Sequence, residues 1–191
     1  MGLDRTAAAL LVGQSNSPGD SRSDEIALMG RLCTEAGAKE VYVTDDEQEG
    51  ELFVEARRAA GAALEVRGAL LPEDVAVPID RLPAMLDAVA AIAAEHDVEI
   101  PIAAHAGDGN LHPAVIYDAS DDAHRLRAHL AFDALLRAAI ACGGTITGEH
   151  GVGRTKRHML PEQLGPDVLR LNRQVKAALD PQGILNPGAM L

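Results

Sequence analysis

Along the chain the spacing of apolar residues switches repeatedly between a strand period and a helical one, and the switches mark its elements. A short apolar run from Ala7 to Val12 predicts a first strand, broken by Asn16-Ser17-Pro18-Gly19-Asp20. Ser21 or Ser23 then caps a helix on which Ile26, Met29, Cys33 and Ala36 recur at helical spacing before Gly37 ends it. Glu40 to Thr44 alternates well enough to predict a second strand. Asp45-Asp46-Glu47 opens the next helix with acidic residues suited to its dipole. Leu52, Phe53, Ala56 and Ala60 line that helix, with Arg57 and Arg58 in its middle.

Glu73-Asp74-Val75-Ala76-Val77-Pro78 is the next strand candidate. A helix follows from Leu82, with Pro83 in its first turn and an apolar stripe of Leu82, Met85, Leu86, Val89, Ile92 and Ala93. Val98 to Ala104 reads as a buried strand and Pro113 to Tyr117 as its return partner. Ser120-Asp121-Asp122 caps a long helix carrying Phe132, Leu135, Leu136, Ala139 and Ile140 on one face, and Gly143-Gly144 ends it. Thr145-Ile146-Thr147 is a short strand leading into Glu149 and His150. Pro161 to Leu179 predicts a last helix with Val168, Leu171, Val175 and Leu179 facing inward, followed by a structured tail from Gly183 to Gly188. Strands and helices arranged around a hairpin predict an α+β sandwich, an antiparallel or mixed sheet with helices on one face. No repeat, low-complexity segment or long linker divides residues 1–191.

Composition narrows this picture. Tyr42, Phe53, Tyr117 and Phe132 are the only aromatic residues, so Ala, Leu, Val and Ile must build the core. A formal charge of −12 argues against a nucleic-acid or anionic-membrane partner, although solubility alone explains such a charge. No apolar run approaches the length of a membrane span. Cys33 and Cys142 are far apart and in no metal-like spacing, as in a reducing compartment. The start lacks signal-peptide order, and a soluble cytoplasmic protein is the expectation.

The densest chemistry lies in His105-Ala106-Gly107-Asp108-Gly109-Asn110-Leu111-His112. A hairpin there brings two imidazoles together around a Gly-Asp-Gly tip. Gly148-Glu149-His150-Gly151 can add a carboxylate, and its glycines suit a loop from which both Glu149 and His150 reach one site. Two histidines and a carboxylate with an open position make a catalytic divalent-metal site. The same residues also fit a tip that only turns the chain, with imidazoles bonded to backbone. Arg154-Thr155-Lys156-Arg157-His158 fits either an anion-attracting patch or the start of a surface helix. His96, His124, His129 and His158 follow no pattern and read as surface residues. No Gly-x-Gly-x-x-Gly follows a strand, and there is no Walker-type phosphate loop.

His105 to His112, Gly148-Glu149-His150-Gly151-Val152-Gly153 and Asp180-Pro181-Gln182-Gly183-Ile184-Leu185-Asn186-Pro187-Gly188 together resemble the C-terminal domain of FAD-linked oxidases. Members include the glycolate oxidase flavin subunit, D-lactate dehydrogenase and D-2-hydroxyglutarate dehydrogenase. The motifs stand in the family's order and cover nearly the whole chain. The resemblance implies that residues 1–191 are a substrate-binding cap domain with a ferredoxin-like antiparallel sheet, without the FAD-binding domain that precedes it in the family. It implies His105, His112 and Glu149 as ligands of a divalent metal, with zinc, manganese and iron all fitting the donor set. His150 would take the hydroxyl proton of a D-2-hydroxy acid as hydride passes to the flavin. Asn110 would contact the substrate, Arg57 would bind its carboxylate, and Asn186 would lie against the FAD or the domain interface. The implied partners are an FAD-binding domain or subunit and a small 2-hydroxy acid.

Two rivals stand beside that reading. An isolated cap domain can act as a non-catalytic interaction module, exposing an apolar patch and forming a homodimer. A flavin-independent metalloenzyme can use the same ligands for hydrolysis, but the sequence offers no hydrolytic nucleophile or leaving-group acid.

Overall fold

The computed structural model describes Asp4 and residues 6–191. The chain divides into two compact units, Met1–Ala63 and Leu64–Leu191. In the first, α1 spans Ser21–Glu35, and α2 begins at Glu47 and runs across the boundary to Glu65. Neither helix buries a residue completely. The runs Ala7–Val12 and Glu40–Thr44, expected as strands, form no ladder. A strand persists where a neighbour satisfies its backbone groups. The second run instead lies against α1, with Val41 and Val43 beside Gly30, and Gly13, just after the first run, sits beside Met29. Leu10, Leu11, Tyr42 and Val43 remain exposed.

The second unit holds the sheet. Its strands are β1 (Ala69–Pro72), β2 (Val75–Ala76), β3 (Ile102–His105) and β4 (Asn110–Tyr117), and every pairing is antiparallel to β4. β1 and β2 pair with successive stretches of β4 in one register, so they form one interrupted strand along its flank. Pro113 explains the interruption: it accepts the Glu73 N–H at 2.8 Å but has no N–H to return. β3 pairs along the other flank. Continuing the β1–β2 register through the gap sets Asp74 opposite His112.

The expected hairpin forms, with a difference. Its turn is confined to residues 106–109, and His105 and His112 sit on the strands. Gly109 has φ +72°, and a Cβ there would fall 2.1 Å from the Val77 carbonyl oxygen. β1, which the sequence reading missed, precedes the expected strand at 73–78. Thr145-Ile146-Thr147 contributes only a bridge between Thr145 and Ala76.

Helices cover one face of this sheet. α3 (Leu82–His96) supplies Met85, Val89 and Ile92, and α4 (Asp122–Ala141) supplies Phe132, Leu135, Leu136 and Ala139. They pack in one core with Val75, Leu111 and Val115. Leu86, expected in the α3 stripe, is exposed. α4 starts as expected, the Asp121 carboxylate accepting the N–H groups of Ala123 and His124 at 2.8 and 3.1 Å. Because side chains alternate across a strand, Asn110 and His112 project from the face opposite Leu111 and Val115. The fold is therefore α+β, with its polar strand residues on the face away from the helical core.

α5 (Leu160–Leu179) departs from expectation. Gly165, at φ 72°, and Pro166 kink it, and only Leu160 and Leu169 are buried. Val168, Leu171, Val175 and Leu179, expected to face inward, are all exposed. Its periodicity identifies an apolar face, but the described core offers that face nothing to pack against.

Candidate metal centre

Strand alternation builds half of the site. His105 pairs with Asn110 across the hairpin, so His105, Asn110 and His112 share the face away from the core. The two imidazoles meet edge to face with centroids 5.3 Å apart. The other half arrives on the loop after Ile146. Its root is fixed by backbone pairing of Thr145 with Ala76, and by Gln163, whose side-chain oxygen accepts the Ile146 N–H at 2.9 Å. Gly148 fits there because it lacks a side chain: a Cβ would lie 2.2 Å from Asn110 Oδ1. The loop then sets Glu149 Oε1 at 3.2 Å from His112 Nε2, 3.7 Å from His105 Nε2 and 3.6 Å from His150 Nε2. The His112 and His150 rings stack at 5.1 Å.

The structure thus brings His105, Asn110, His112, Glu149 and His150 together. Asp108 joins His105, Asn110 and Glu149 in lining a cleft of about 330 Å³. A larger cleft of about 850 Å³ opens between the Arg67–Ala69 segment and the end of α3, and none of these site residues lines it. Arg57 is exposed on α2 in the first unit. Asn186 is exposed at φ 47° in the tail. That tail is tethered beside the histidine loop: Arg154 and Arg157 donate to the carbonyls of Pro187 and Gly188, and Met190 N–H donates to Gly153. The basic run thus opens the last helix as a surface start, through a 3-10 turn over Arg157–Met159 that leads into α5, and two of its exposed arginines also tie down the tail. His158 likewise meets Asp133 at 2.9 Å, and His124 Nδ1 accepts the Asp118 N–H.

Three site residues escaped the sequence reading. Asp74 is 1% exposed, and its Oδ2 accepts the Thr147 hydroxyl and the N–H groups of Gly148, Glu149 and His150 at 2.8–3.0 Å. Burial pushes its carboxyl up, but those donors and the Lys156 charge outweigh it and hold the pKa down at about 2. Lys156 is buried, donating to the carbonyls of Asp74 and Ile146 at 2.7 and 2.9 Å. Its Nζ also lies 3.5 Å from Glu73 Oε1. Burial nevertheless dominates at Glu73 and raises its pKa to about 8, so it is protonated at neutral pH. The sequence signals are an acidic pair opening an otherwise apolar strand, the likeness of Asp74-Val75-Ala76-Val77-Pro78 to the FAD-linked oxidase family, and the place of Lys156 in the basic run, none of which assigns these residues to the site.

The donor set suits a divalent cation. His105, His112 and Glu149 each offer one ligand atom within 4.8 Å of the others. Burial lowers the His112 pKa, which favours the neutral imidazole that ligation needs. His112 Nδ1 and Asn110 Oδ1 are buried without a hydrogen-bond partner, so the pocket holds polar groups unspent by the fold. Asp74, His112 and His150 form a second such triad. There, however, one Asp74 oxygen already serves four donors. Among the described residues no helix is long and apolar enough to cross a membrane.

Comparison with known proteins supplies the family. A family model described as FAD linked oxidases, C-terminal domain, matches residues 2–190. The chain is 36% identical over 191 residues to glycolate oxidase subunit GlcD of Bacillus subtilis (strain 168), covering 100% of this chain and 41% of that protein. It is 32% identical over 186 residues to the subunit of that name in Escherichia coli (strain K12), covering 95% of this chain and 37% of the relative. A probable mitochondrial D-lactate dehydrogenase of Danio rerio is 34% identical over 174 residues, 90% of this chain and 35% of that protein. The chain spans 35–41% of the length of these relatives. Matched along almost its whole length, this chain belongs to the C-terminal domain family of the FAD linked oxidases.

Proposed function

We propose that this chain is the substrate- and metal-binding part of an FAD-dependent oxidoreductase acting on a D-2-hydroxy acid, with glycolate, D-lactate and D-2-hydroxyglutarate as candidate substrates. One observation carries the reading: His105 Nε2, His112 Nε2 and Glu149 Oε1 converge, with His150 beside them, in a chain of this family. His105, His112 and Glu149 would hold zinc, manganese or iron. A bound divalent ion supplies positive charge that eases deprotonation of a substrate hydroxyl. Flavin, when bound, supplies the hydride acceptor.

The remaining work falls to the chain's own residues. The His150 imidazole accepts the hydroxyl proton, as general bases in such sites do. Asn110, buried in the cleft wall, offers its amide to the substrate. Arg57 binds the substrate carboxylate through its planar fork. Asn186 meets the flavin or the domain that holds it. FAD is held mainly by an FAD-binding domain or subunit, a partner supported by the greater length of the relatives and by the outward apolar face of α5.

The test joins this chain to its FAD-binding partner and assays 2-hydroxy acids with an artificial electron acceptor. Turnover of one or more of them, falling about 100-fold or further in His150→Ala, is the expected result. An assembled flavoprotein that oxidises none of them, with His150→Ala indistinguishable, overturns the proposal. The exposed α5 residues also favour a second reading, a non-catalytic interaction module that self-associates. Sedimentation that finds only monomers between about 1 and 100 μM, the range of weak interfaces, removes that alternative.

A further inference from the structure

Asp74 has no part in the proton and metal roles just assigned, yet more of the centre's geometry converges on it than on any of the three ligands. Its Oδ2 gathers four donors from one loop, the Thr147 hydroxyl and three successive backbone N–H groups that end at His150. Its Oδ1 lies 3.7 Å from His112 Nδ1, the ring nitrogen opposite the one that faces Glu149. The carboxylate therefore touches the residues carrying Glu149 and His150 and also faces the strand histidine. It is itself anchored, because Lys156 Nζ bridges the Asp74 and Ile146 carbonyls. A metal-bound imidazole performs best when its other nitrogen donates to a fixed carboxylate. Successive N–H groups turned toward one anion make a rigid nest.

We infer that Asp74 is the positioning residue of this centre: it fixes the Thr147–His150 loop and orients the His112 ring, so that His105, His112 and Glu149 face one point. The inference deepens the metal reading above and rests on it for one of its two readouts. Asp74→Asn tests it with little change of shape. An amide oxygen turned to the loop leaves an NH2 facing His112 Nδ1. An amide oxygen turned to His112 leaves that NH2 facing three N–H groups.

The first readout is amide hydrogen exchange on the metal-free 191-residue chain. Exchange at Gly148, Glu149 and His150 should quicken about tenfold or more in Asp74→Asn, the scale of one lost hydrogen bond. Val115 in β4 should keep its protection. The second is calorimetric titration with zinc, whose affinity should fall about 10- to 100-fold. Thr147→Val, which removes one donor and leaves the carboxylate, should lose much less. Unchanged exchange, an acceleration spread evenly over β4, or wild-type zinc affinity in Asp74→Asn overturns the inference. If the wild-type chain itself takes up no zinc, the metal reading fails and exchange alone decides: a local acceleration sustains the positioning role, and none overturns it.

Discussion

At Glu73 and Asp74 two neighbouring carboxyls are pushed in opposite directions by their surroundings. Asp74, at about 2, gives up a proton more readily than it would in the unfolded chain, where about 3.9 is usual. Its contribution to stability is complete above about pH 4 and lost as pH falls toward about 2, on the order of 2 kcal/mol in all. Glu73 works the other way. Between about pH 4.3 and about 8 the folded chain keeps a proton that the unfolded chain releases, so stability declines as pH rises through that window. Glu73→Gln should remove the decline. Its melting temperature should match wild type near pH 4.5 and exceed it increasingly toward pH 8, because wild type alone can ionise at position 73. Parallel melting profiles would contradict that account of the Lys156–Glu73 pair. Gly148→Ala should weaken zinc binding about tenfold and destabilise the fold by about 1–3 kcal/mol, since the new methyl overlaps Asn110. Titration and urea unfolding of that variant check both effects.

These residues also show what the sequence could convey. The two histidines were legible because a hairpin is local and strand parity assigns their face. Asp74 was not, because its partners lie 73 to 76 positions away and only the folded chain brings them together.

Among elements, α4 and α5 make an instructive pair. Both show helical periodicity, and both form helices close to the expected bounds. In α4 the stripe meets the sheet, and Leu135 and Leu136 are wholly buried. In α5 the stripe points outward, because periodicity states which residues share a face and is silent about what the face meets. Leu135→Ala should therefore cost about 2–5 kcal/mol in urea unfolding. Leu171→Ala should change stability by no more than about 0.5 kcal/mol. A cost at Leu171 comparable with that at Leu135 would place the α5 face inside the core. The strands expected at Ala7–Val12 and Glu40–Thr44 fail for a related reason: alternation marks a chain ready to pair, and pairing needs a partner edge.

For the molecule as a whole, family membership and local geometry are separate observations. The match covers residues 2–190, while the convergence of two imidazoles and a carboxylate follows from strand register and one anchored loop. The central claim is that this convergence is a divalent-metal site, and metal content tests it most directly. Purified wild-type chain and a His105→Ala, His112→Ala double variant would be loaded with zinc, dialysed and analysed by elemental mass spectrometry. About one ion per chain in wild type, lost in the double variant, is the stoichiometry expected of a single three-ligand centre. A wild-type chain that holds no ion after loading, or a double variant that retains as much as wild type, would contradict it.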